Sequence, residues 1–193
     1  MSKIIFVNGA PRSGKDTLAL VGYTNLNTCI HSFKDPLIDS VKGLFSIDTY
    51  DWDERYNSAL KDTPWEKLKG LSQREALIWM SEDVGKEKFG RDFFGFAMVN
   101  RLVDAFASGN TPVIIPDSGF LEETQAVVDF FGAENCAMIN TYKDGTSWEK
   151  DSRSLITGKM LGIKGYTISN KGKIDRYRQD CKKLIRKVIN ELA

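Results

Sequence analysis

The chain has 193 residues, enough for one substantial hydrophobic core and too few for two large independent ones. Lysine and arginine total 27 against 26 acidic residues, so the net charge of +1 provides no overall attraction for a nucleic acid polymer. Apolar runs are only a few residues long and no secretory leader opens the sequence, which argues against a membrane protein or an exported one. We therefore expect one soluble, cytoplasmic domain over residues 1–193, with insertions.

Short apolar segments alternate with segments of helical periodicity along the chain. This alternation predicts an α/β fold with three α/β/α layers around a mostly parallel, five-stranded sheet. Strands are expected over residues 3–8, 29–33, 112–116, 136–140 and 165–169. Helices are expected over residues 15–23, 35–45, 72–89, 92–107, 122–131 and 174–192.

Residues 48–70 combine charged, aromatic and turn-forming side chains, which indicates an excursion from the core. Ser72-Gln-Arg-Glu75 then has the pattern of a capping box that opens a helix. We expect a helical insertion over about residues 35–108 and a polar lid segment over about residues 143–165. Three tryptophans in polar segments are expected to pack against the core, with stacking on a nucleotide base as the alternative: Trp52, Trp65 and Trp148.

The cysteines are few and widely separated: Cys29, Cys136 and Cys181. Their odd number and spacing fit neither a disulfide framework nor a zinc ligand cluster. We therefore expect reduced, mostly buried thiols. His31 is the only histidine, and packing in a strand is a better interpretation of it than a hydrolase triad.

Residues 9–17 read GAPRSGKDT, close to the phosphate-binding P-loop pattern G-x-x-x-x-G-K followed by serine or threonine. Gly9, Gly14 and Lys15 match, whereas Asp16 takes the place of the hydroxyl residue. An apolar strand precedes the loop and a helix follows it, so that backbone N–H groups and the helix dipole converge on a phosphate. The loop therefore predicts an ATP site in which Lys15 brings positive charge to the β- and γ-phosphates.

The remaining loop residues are expected to contact the same nucleotide. Ala10, Arg12 and Ser13 lie between the two glycines, and Thr17 can offer its hydroxyl to the α-phosphate. Arg12 is also a candidate for stabilising charge as the phosphoryl group moves.

Two aspartates are candidate Mg²⁺ ligands. The carboxylate of Asp16 can bind the ion directly or through water, although stabilisation of the helix amino terminus is an alternative role. Asp117 directly follows the apolar strand 112–116, and open α/β sheets bind ligands outside the carboxyl ends of their strands. The sequence therefore predicts an Mg²⁺ site that involves Asp16 and Asp117.

Five segments resemble, in chain order, the deoxynucleoside monophosphate kinases of bacteriophages, within the nucleoside monophosphate kinase superfamily. They are RSGKDT at 12–17, SFKDPL at 32–37, QREAL at 73–77, VIIPDSGFLEE at 113–123 and YTISNKGKI at 166–174. The resemblance implies a P-loop NTPase fold, use of ATP and Mg²⁺, and phosphoryl transfer to a deoxynucleoside monophosphate in the cytoplasm of the phage host. It also implies that the partners are small nucleotides, with a homodimer as a further expectation.

The resemblance also assigns site residues. Arg74 is expected to bind the acceptor phosphate, with a solvated side chain as its alternative, and Lys34, Asp35 and Arg91 are further acceptor-side candidates. Asp35 also suits a helix cap, which is the preferred interpretation. The last group lies elsewhere in the chain: Arg153 on the lid segment, with Lys150 and Lys159 as rivals, and Asn170 and Gly172 beside the adenine.

Three positions depart from the family pattern and leave the acceptor open. Ile38, Ile78 and Gly119 stand where the family usually has lysine, glutamine and arginine. Because these positions lie near the acceptor, the pattern favours phosphoryl transfer more strongly than any one base. A P-loop kinase of another small phosphorylated or hydroxylated acceptor and a non-catalytic nucleotide-binding protein are the alternatives.

Overall fold

The computed structural model of the chain describes residues 2–109, 111–149, 151 and 153–192. The chain forms two compact units, of which the first comprises Met1–Phe33 and Gly95–Ala193 and the second comprises Lys34–Phe94. The first unit contains the sheet and the P-loop, and the second unit is helical.

The first unit is built on a five-stranded sheet in which every pair of neighbours is parallel. The strands are β1 Ile4–Asn8, β2 Cys29–Ile30, β3 Val113–Ile115, β4 Cys136–Tyr142 and β5 Lys164–Ser169, in the order β2-β3-β1-β4-β5. The five predicted strands are confirmed, although β2 is shorter than expected. It ends at Ile30 because Ser32 and Phe33 turn to bind the carboxylate of Asp117 instead of extending the sheet.

Helices cover both faces of the sheet. Ile4 and Phe6 point to the face covered by α6 (Phe93–Ala107) and α7 (Leu121–Phe131). The alternate residues Ile5 and Val7 point to the other face, which is covered by α1 (Lys15–Leu26) and α8 (Ile174–Glu191). Because strand side chains alternate between faces, a fully apolar β1 requires apolar cover on both sides, and the predicted three-layer α/β/α fold is confirmed.

Two of the three cysteines are buried in these layers, as expected. Burial raises the pKa of the Cys136 thiol to about 12 and that of Cys181 to about 11. All three cysteines are free thiols, and Cys29 is half-buried. Cys136 and Cys181 therefore stay protonated at neutral pH and act as small apolar core residues.

The second unit packs its helices around an aromatic core. Its helices are α2 Lys34–Phe45, α3 Thr49–Tyr56, α4 Gln73–Trp79 and α5 Glu87–Phe89, with a π-helical segment Met80–Lys86 and 3-10 turns Ala59–Asp62 and Glu66–Leu68. Trp52 is fully buried and stacks on Tyr56 with ring centroids 6.0 Å apart, while Trp65 lies 6.4 Å from Trp52. Trp52 is therefore a core residue with no face open for a nucleotide base, and the half-buried Trp65 packs against that core.

The predicted capping box is present at the start of α4. The backbone N–H of Glu75 donates to Ser72 Oγ at 3.2 Å, and the backbone N–H of Ser72 donates to Glu75 Oε2 at 2.8 Å. One cap interpretation is wrong, because α2 begins at Lys34 and places Asp35 inside its first turn instead of at the cap. A carboxylate in the first turn still interacts favourably with the positive end of the helix.

The helical unit ends at Phe94, earlier than residue 108, the end expected for the insertion. Gly95 lies so close to α7 that an added Cβ would collide with the backbone of Glu123 and with Ala126. Most of α6 therefore belongs to the sheet-containing unit, where Met98 and Leu102 are fully buried. Among the described residues, no helix has the length and apolarity needed to cross a bilayer.

Candidate active site

The P-loop connects β1 to α1 and closes around the side chain of Lys15. Lys15 Nζ donates to the carbonyl oxygens of Gly9 at 2.6 Å and Ala10 at 3.0 Å. The backbone N–H of Ser13 also donates to Ala10, at 3.1 Å, and Arg12 and Gly14 have positive φ angles of 64° and 112°. The loop is thus a compact turn whose lysine lies at the start of a helix, the arrangement that binds phosphate.

Hydrogen bonds from neighbouring strands and a helix hold the P-loop in place. Ser13 Oγ and Thr141 Oγ1 are hydrogen bonded at 2.6 Å, Asn170 Nδ2 donates to the carbonyl of Ser13 at 3.1 Å, and Tyr177 OH donates to the carbonyl of Gly14 at 3.2 Å. These contacts tie the loop to β4, to the end of β5 and to α8. A nucleotide would therefore meet a loop that is already ordered, which lowers the entropy cost of binding.

The two P-loop glycines are required by this packing as well as by any phosphate. A Cβ on Gly9 would collide with Thr141 and Ser13, and a Cβ on Gly14 would collide with Asn170 and Tyr177. The contacts of Asn170 are thus with the loop. Its expected position beside an adenine stays a prediction, as does that of Gly172, which is exposed with a φ of 79°.

Asp117 follows β3 and is oriented by two hydrogen bonds. Ser32 Oγ donates to Asp117 Oδ2 at 2.5 Å, and the backbone N–H of Phe33 donates to Oδ1 at 3.0 Å. Asp16 is exposed in the first turn of α1. Two carboxylates near the loop, one of them held rigidly, are oxygen donors of the type that Mg²⁺ prefers, so these residues fit the ion. Among the described residues, no group of three or more His, Cys, Asp or Glu side chains could hold a metal.

Arg153 reaches the same region from the lid segment. Its guanidinium forms a bidentate ion pair with the carboxylate of Asp151, with Nε–Oδ1 at 2.8 Å and Nη2–Oδ2 at 2.6 Å. The hydrogen bond to Asp151 raises the pKa of Arg153, and the negative charges of Asp117 and Asp16 add to the effect. The same pair lowers the pKa of Asp151, with a smaller contribution from Lys15. The fold therefore gathers these five charged residues at one edge of the sheet.

A buried pair of asparagines, not predicted from the sequence, supports this edge. Asn8 Nδ2 donates to the carbonyls of Ser118 at 2.6 Å and Ser154 at 2.9 Å, and Asn8 Oδ1 accepts from the backbone N–H of Ile156 at 3.2 Å. Asn140 Nδ2 donates to the carbonyl of Ile156 at 2.8 Å. The signal available in the sequence was an asparagine at the end of each of two predicted strands, residues 3–8 and 136–140. Asp151, Thr141 and Tyr177 carried no comparable signal.

A cavity of about 200 Å³ lies between the loop and the lid segment. It is lined by Gly9, Ala10, Thr141, Tyr142, Lys143, Asp144, Thr146, Trp148 and Leu155. Trp148 is half-buried at this cavity, unlike Trp52 in the core of the second unit. Stacking on a base thus stays open for Trp148.

The acceptor-side candidates all belong to the second unit. Arg74 Nε lies 2.6 Å from Asp62 Oδ1, and this hydrogen bond raises the pKa of Arg74, whose side chain is 62% exposed. Lys34 and Asp35 lie in the first turn of α2, and Arg91 is exposed between α5 and α6. The acceptor roles of these four residues stay predictions. Of the two rivals of Arg153, Lys159 is exposed in the 3-10 turn Gly158–Leu161, and Lys150 lies outside the described residues.

The ion pair between Asp151 and Arg153 predicts a specific pH dependence of stability. Because the folded state lowers the pKa of Asp151 below its ordinary value of 3.8, the ionised carboxylate stabilises the fold above that value, and this stabilisation is lost as the pH falls through the lowered pKa. We expect the free energy of unfolding, measured with urea, to fall less steeply below about pH 4 in Asp151→Asn than in the wild type. Arg153→Ala should flatten the same slope, and an unchanged slope in both variants would contradict the ion pair.

No protein-family model and no curated protein sequence matches the chain. Among solved structures, dephospho-CoA kinase from Campylobacter jejuni is similar at 16% sequence identity with a TM-score of 0.54, over 97% of this chain and 98% of that chain. A "putative kinase" from Chloroflexus aurantiacus J-10-fl is 13% identical with a TM-score of 0.43, over 96% of this chain and 97% of that chain. The first similarity extends over nearly the whole of both chains. Together with the parallel sheet and the loop after β1, it shows that this chain has the fold of a P-loop kinase.

Proposed function

We propose that the protein is an ATP- and Mg²⁺-dependent kinase that transfers the γ-phosphoryl group of ATP to a deoxynucleoside monophosphate. The products are ADP and the deoxynucleoside diphosphate. One observation carries the proposal: the P-loop lysine, the two carboxylates Asp16 and Asp117, and Arg153 share one edge of a P-loop kinase fold. Phosphoryl transfer needs little covalent chemistry from a protein, and this set supplies the positioning and the positive charge it does need.

Each residue has a role that follows from its contacts. Lys15 binds two loop carbonyls and is placed to exchange them for phosphate oxygens, while the α1 amino terminus adds N–H donors. Asp117, oriented by Ser32 and Phe33, and Asp16 would hold Mg²⁺. The ion neutralises charge on the phosphates when bound. Arg153 would stabilise charge on the transferring group.

The lid segment supplies the last requirement, exclusion of water. The Asn8 side chain forms hydrogen bonds with the backbone of Ser154 and Ile156. These bonds hold the chain next to Arg153 in place beside the P-loop. Lys143, Asp144, Thr146 and Trp148 of this segment line the cavity beside that loop. Closure of this segment over bound nucleotide would favour transfer to the acceptor over hydrolysis of ATP.

A kinase for a different small acceptor is the second candidate. The structural similarity to an enzyme named for dephospho-CoA and the departures at Ile38, Ile78 and Gly119 support it. A non-catalytic nucleotide-binding protein is the third candidate. It is less favoured because a binding module has no need for an arginine held near the P-loop by its own carboxylate partner.

The decisive experiment is a coupled ADP-release assay with ATP·Mg²⁺ and each nucleoside or deoxynucleoside monophosphate in turn, with dephospho-CoA as a parallel acceptor. We expect turnover with at least one deoxynucleoside monophosphate and confirmation of the diphosphate product by mass spectrometry. Turnover with dephospho-CoA alone would favour the second candidate. Binding of ATP without turnover of any acceptor would favour the third.

A further inference from the structure

Gly119 lies against the side chain of Arg153. A Cβ atom added to Gly119 would come closer than 3.0 Å to Cβ, Cγ and Cδ of Arg153, a separation that real Cβ atoms essentially never show. The aliphatic part of Arg153 thus fills the space that a side chain at position 119 would occupy. Gly119 is buried, so a larger residue has no open direction in which to relax.

The backbones of the two residues are also joined. The N–H of Ser154 donates to the carbonyl of Gly119 at 3.1 Å, and Asn8 Nδ2 bridges the carbonyls of Ser118 and Ser154. The segments that carry Asp117 and Arg153 are therefore held side by side through neighbouring residues. A collision between residues 119 and 153 cannot be relieved by moving either segment without breaking these hydrogen bonds.

The backbone conformation does not itself require glycine at this position. The φ angle of Gly119 is not positive, unlike those of Gly14 and Gly172. Alanine could adopt the same backbone without strain. The neighbour Arg153 is thus the structural reason for a residue without a side chain.

We propose that Gly119 is a positioning residue: its missing side chain makes room for the stem of Arg153 and so places the guanidinium beside Asp151 at the edge that carries the P-loop. The catalytic part of this inference rests on the proposed function of Arg153, whereas the packing part does not. The side chain of Arg153 thus reaches the site from the lid segment through the space that a side chain at position 119 would fill. A side chain at position 119 is incompatible with the observed conformation of Arg153.

A double-mutant cycle tests this directly with Gly119→Ala, Arg153→Gly and the double variant. Gly119→Ala should lower Tm by roughly 3–8 °C in the wild-type background, the range expected for overpacking in a protein of this size. In the Arg153→Gly background the same substitution should lower Tm by less than about 1 °C, because Cβ, Cγ and Cδ of Arg153, the atoms that would collide, are all removed. Equal Tm shifts in both backgrounds would overturn the inference.

The kinetic half of the cycle separates a positioning role from a merely structural one. Gly119→Ala should reduce kcat about tenfold or more with KM for ATP within about twofold, and it should reduce kcat no further in the Arg153→Gly background. An additive loss of kcat would overturn the positioning role. If the wild type transfers phosphate to no acceptor, the proposed function fails, and the Tm cycle still decides the packing. Gly165→Ala is the matched control, because a Cβ there would lie 3.5 Å from its nearest neighbours, an ordinary contact distance.

Discussion

Lys15→Ala is expected to lower kcat/KM for phosphoryl transfer by about 10²–10³-fold, or about 3–4 kcal/mol of transition-state stabilisation. Lys15 lies at the amino terminus of α1 and its Nζ donates to two loop carbonyls, which places its positive charge in the loop that would hold a phosphate. Its loss removes a point charge where negative charge must be bound. The measurement is initial-rate kinetics with varied ATP at saturating Mg²⁺.

A second lysine provides the control for this variant. Lys164 lies at the amino end of β5, the opposite end of the sheet from the P-loop, and donates to the carbonyl of Glu191 at 2.6 Å. Lys164→Ala should keep wild-type kinetics while removing the same charge from the molecule. Full activity in Lys15→Ala would remove the P-loop from the proposed mechanism, and ATP binding measured by calorimetry would show whether the loop still holds nucleotide.

Asp117→Asn is expected to lower kcat/KM about 10²-fold at low Mg²⁺, with part of the loss recovered at high Mg²⁺. Asparagine keeps an oxygen that can accept from the backbone N–H of Phe33, so the turn after β3 should stay in place. The substitution removes the negative charge that a divalent cation needs. The measurement is the Mg²⁺ dependence of the rate, with Tm as the check on folding.

Two further variants sharpen this result. Asp104→Asn removes one carboxylate from an exposed position on α6 and should leave the Mg²⁺ dependence unchanged. Ser32→Ala removes the hydrogen bond from Ser32 Oγ to Asp117 Oδ2 and should give a smaller loss than Asp117→Asn. A Mg²⁺ dependence that stays at the wild-type value in Asp117→Asn would exclude Asp117 from the metal site.

Local patterns predicted most of the secondary structure because each pattern depends on residues close together in sequence. The apolar segment before GAPRSGKDT predicted β1, and Ser72 and Glu75 predicted the start of α4. The boundaries were less well predicted where a distant partner decides them. β2 stops at Ile30 because the next residues bind Asp117, more than eighty positions away.

The residues of the candidate site also differ in whether local sequence patterns could predict them. Lys15 and Asp16 could be recognised from the loop pattern, and Asp117 from its place after a buried strand, because helix starts and strand ends have ligand-binding chemistry of their own. Arg153 could be proposed only through the resemblance, and its partner Asp151 was missed. A loop arginine carries no periodic signal, and only the folded chain shows which carboxylate it meets.

By itself, then, the amino-acid sequence determined the layered α/β fold, the P-loop and the charged residues at the strand ends. Only the tertiary structure decided how that edge is assembled: the contacts of Asn8, the ion pair of Arg153, and the packing of the Arg153 side chain against Gly119. The physical reason is the range of the interactions. Helix caps and strand patterns arise from neighbours along the chain, whereas the contact between Gly119 and the side chain of Arg153 joins residues that only the fold brings together.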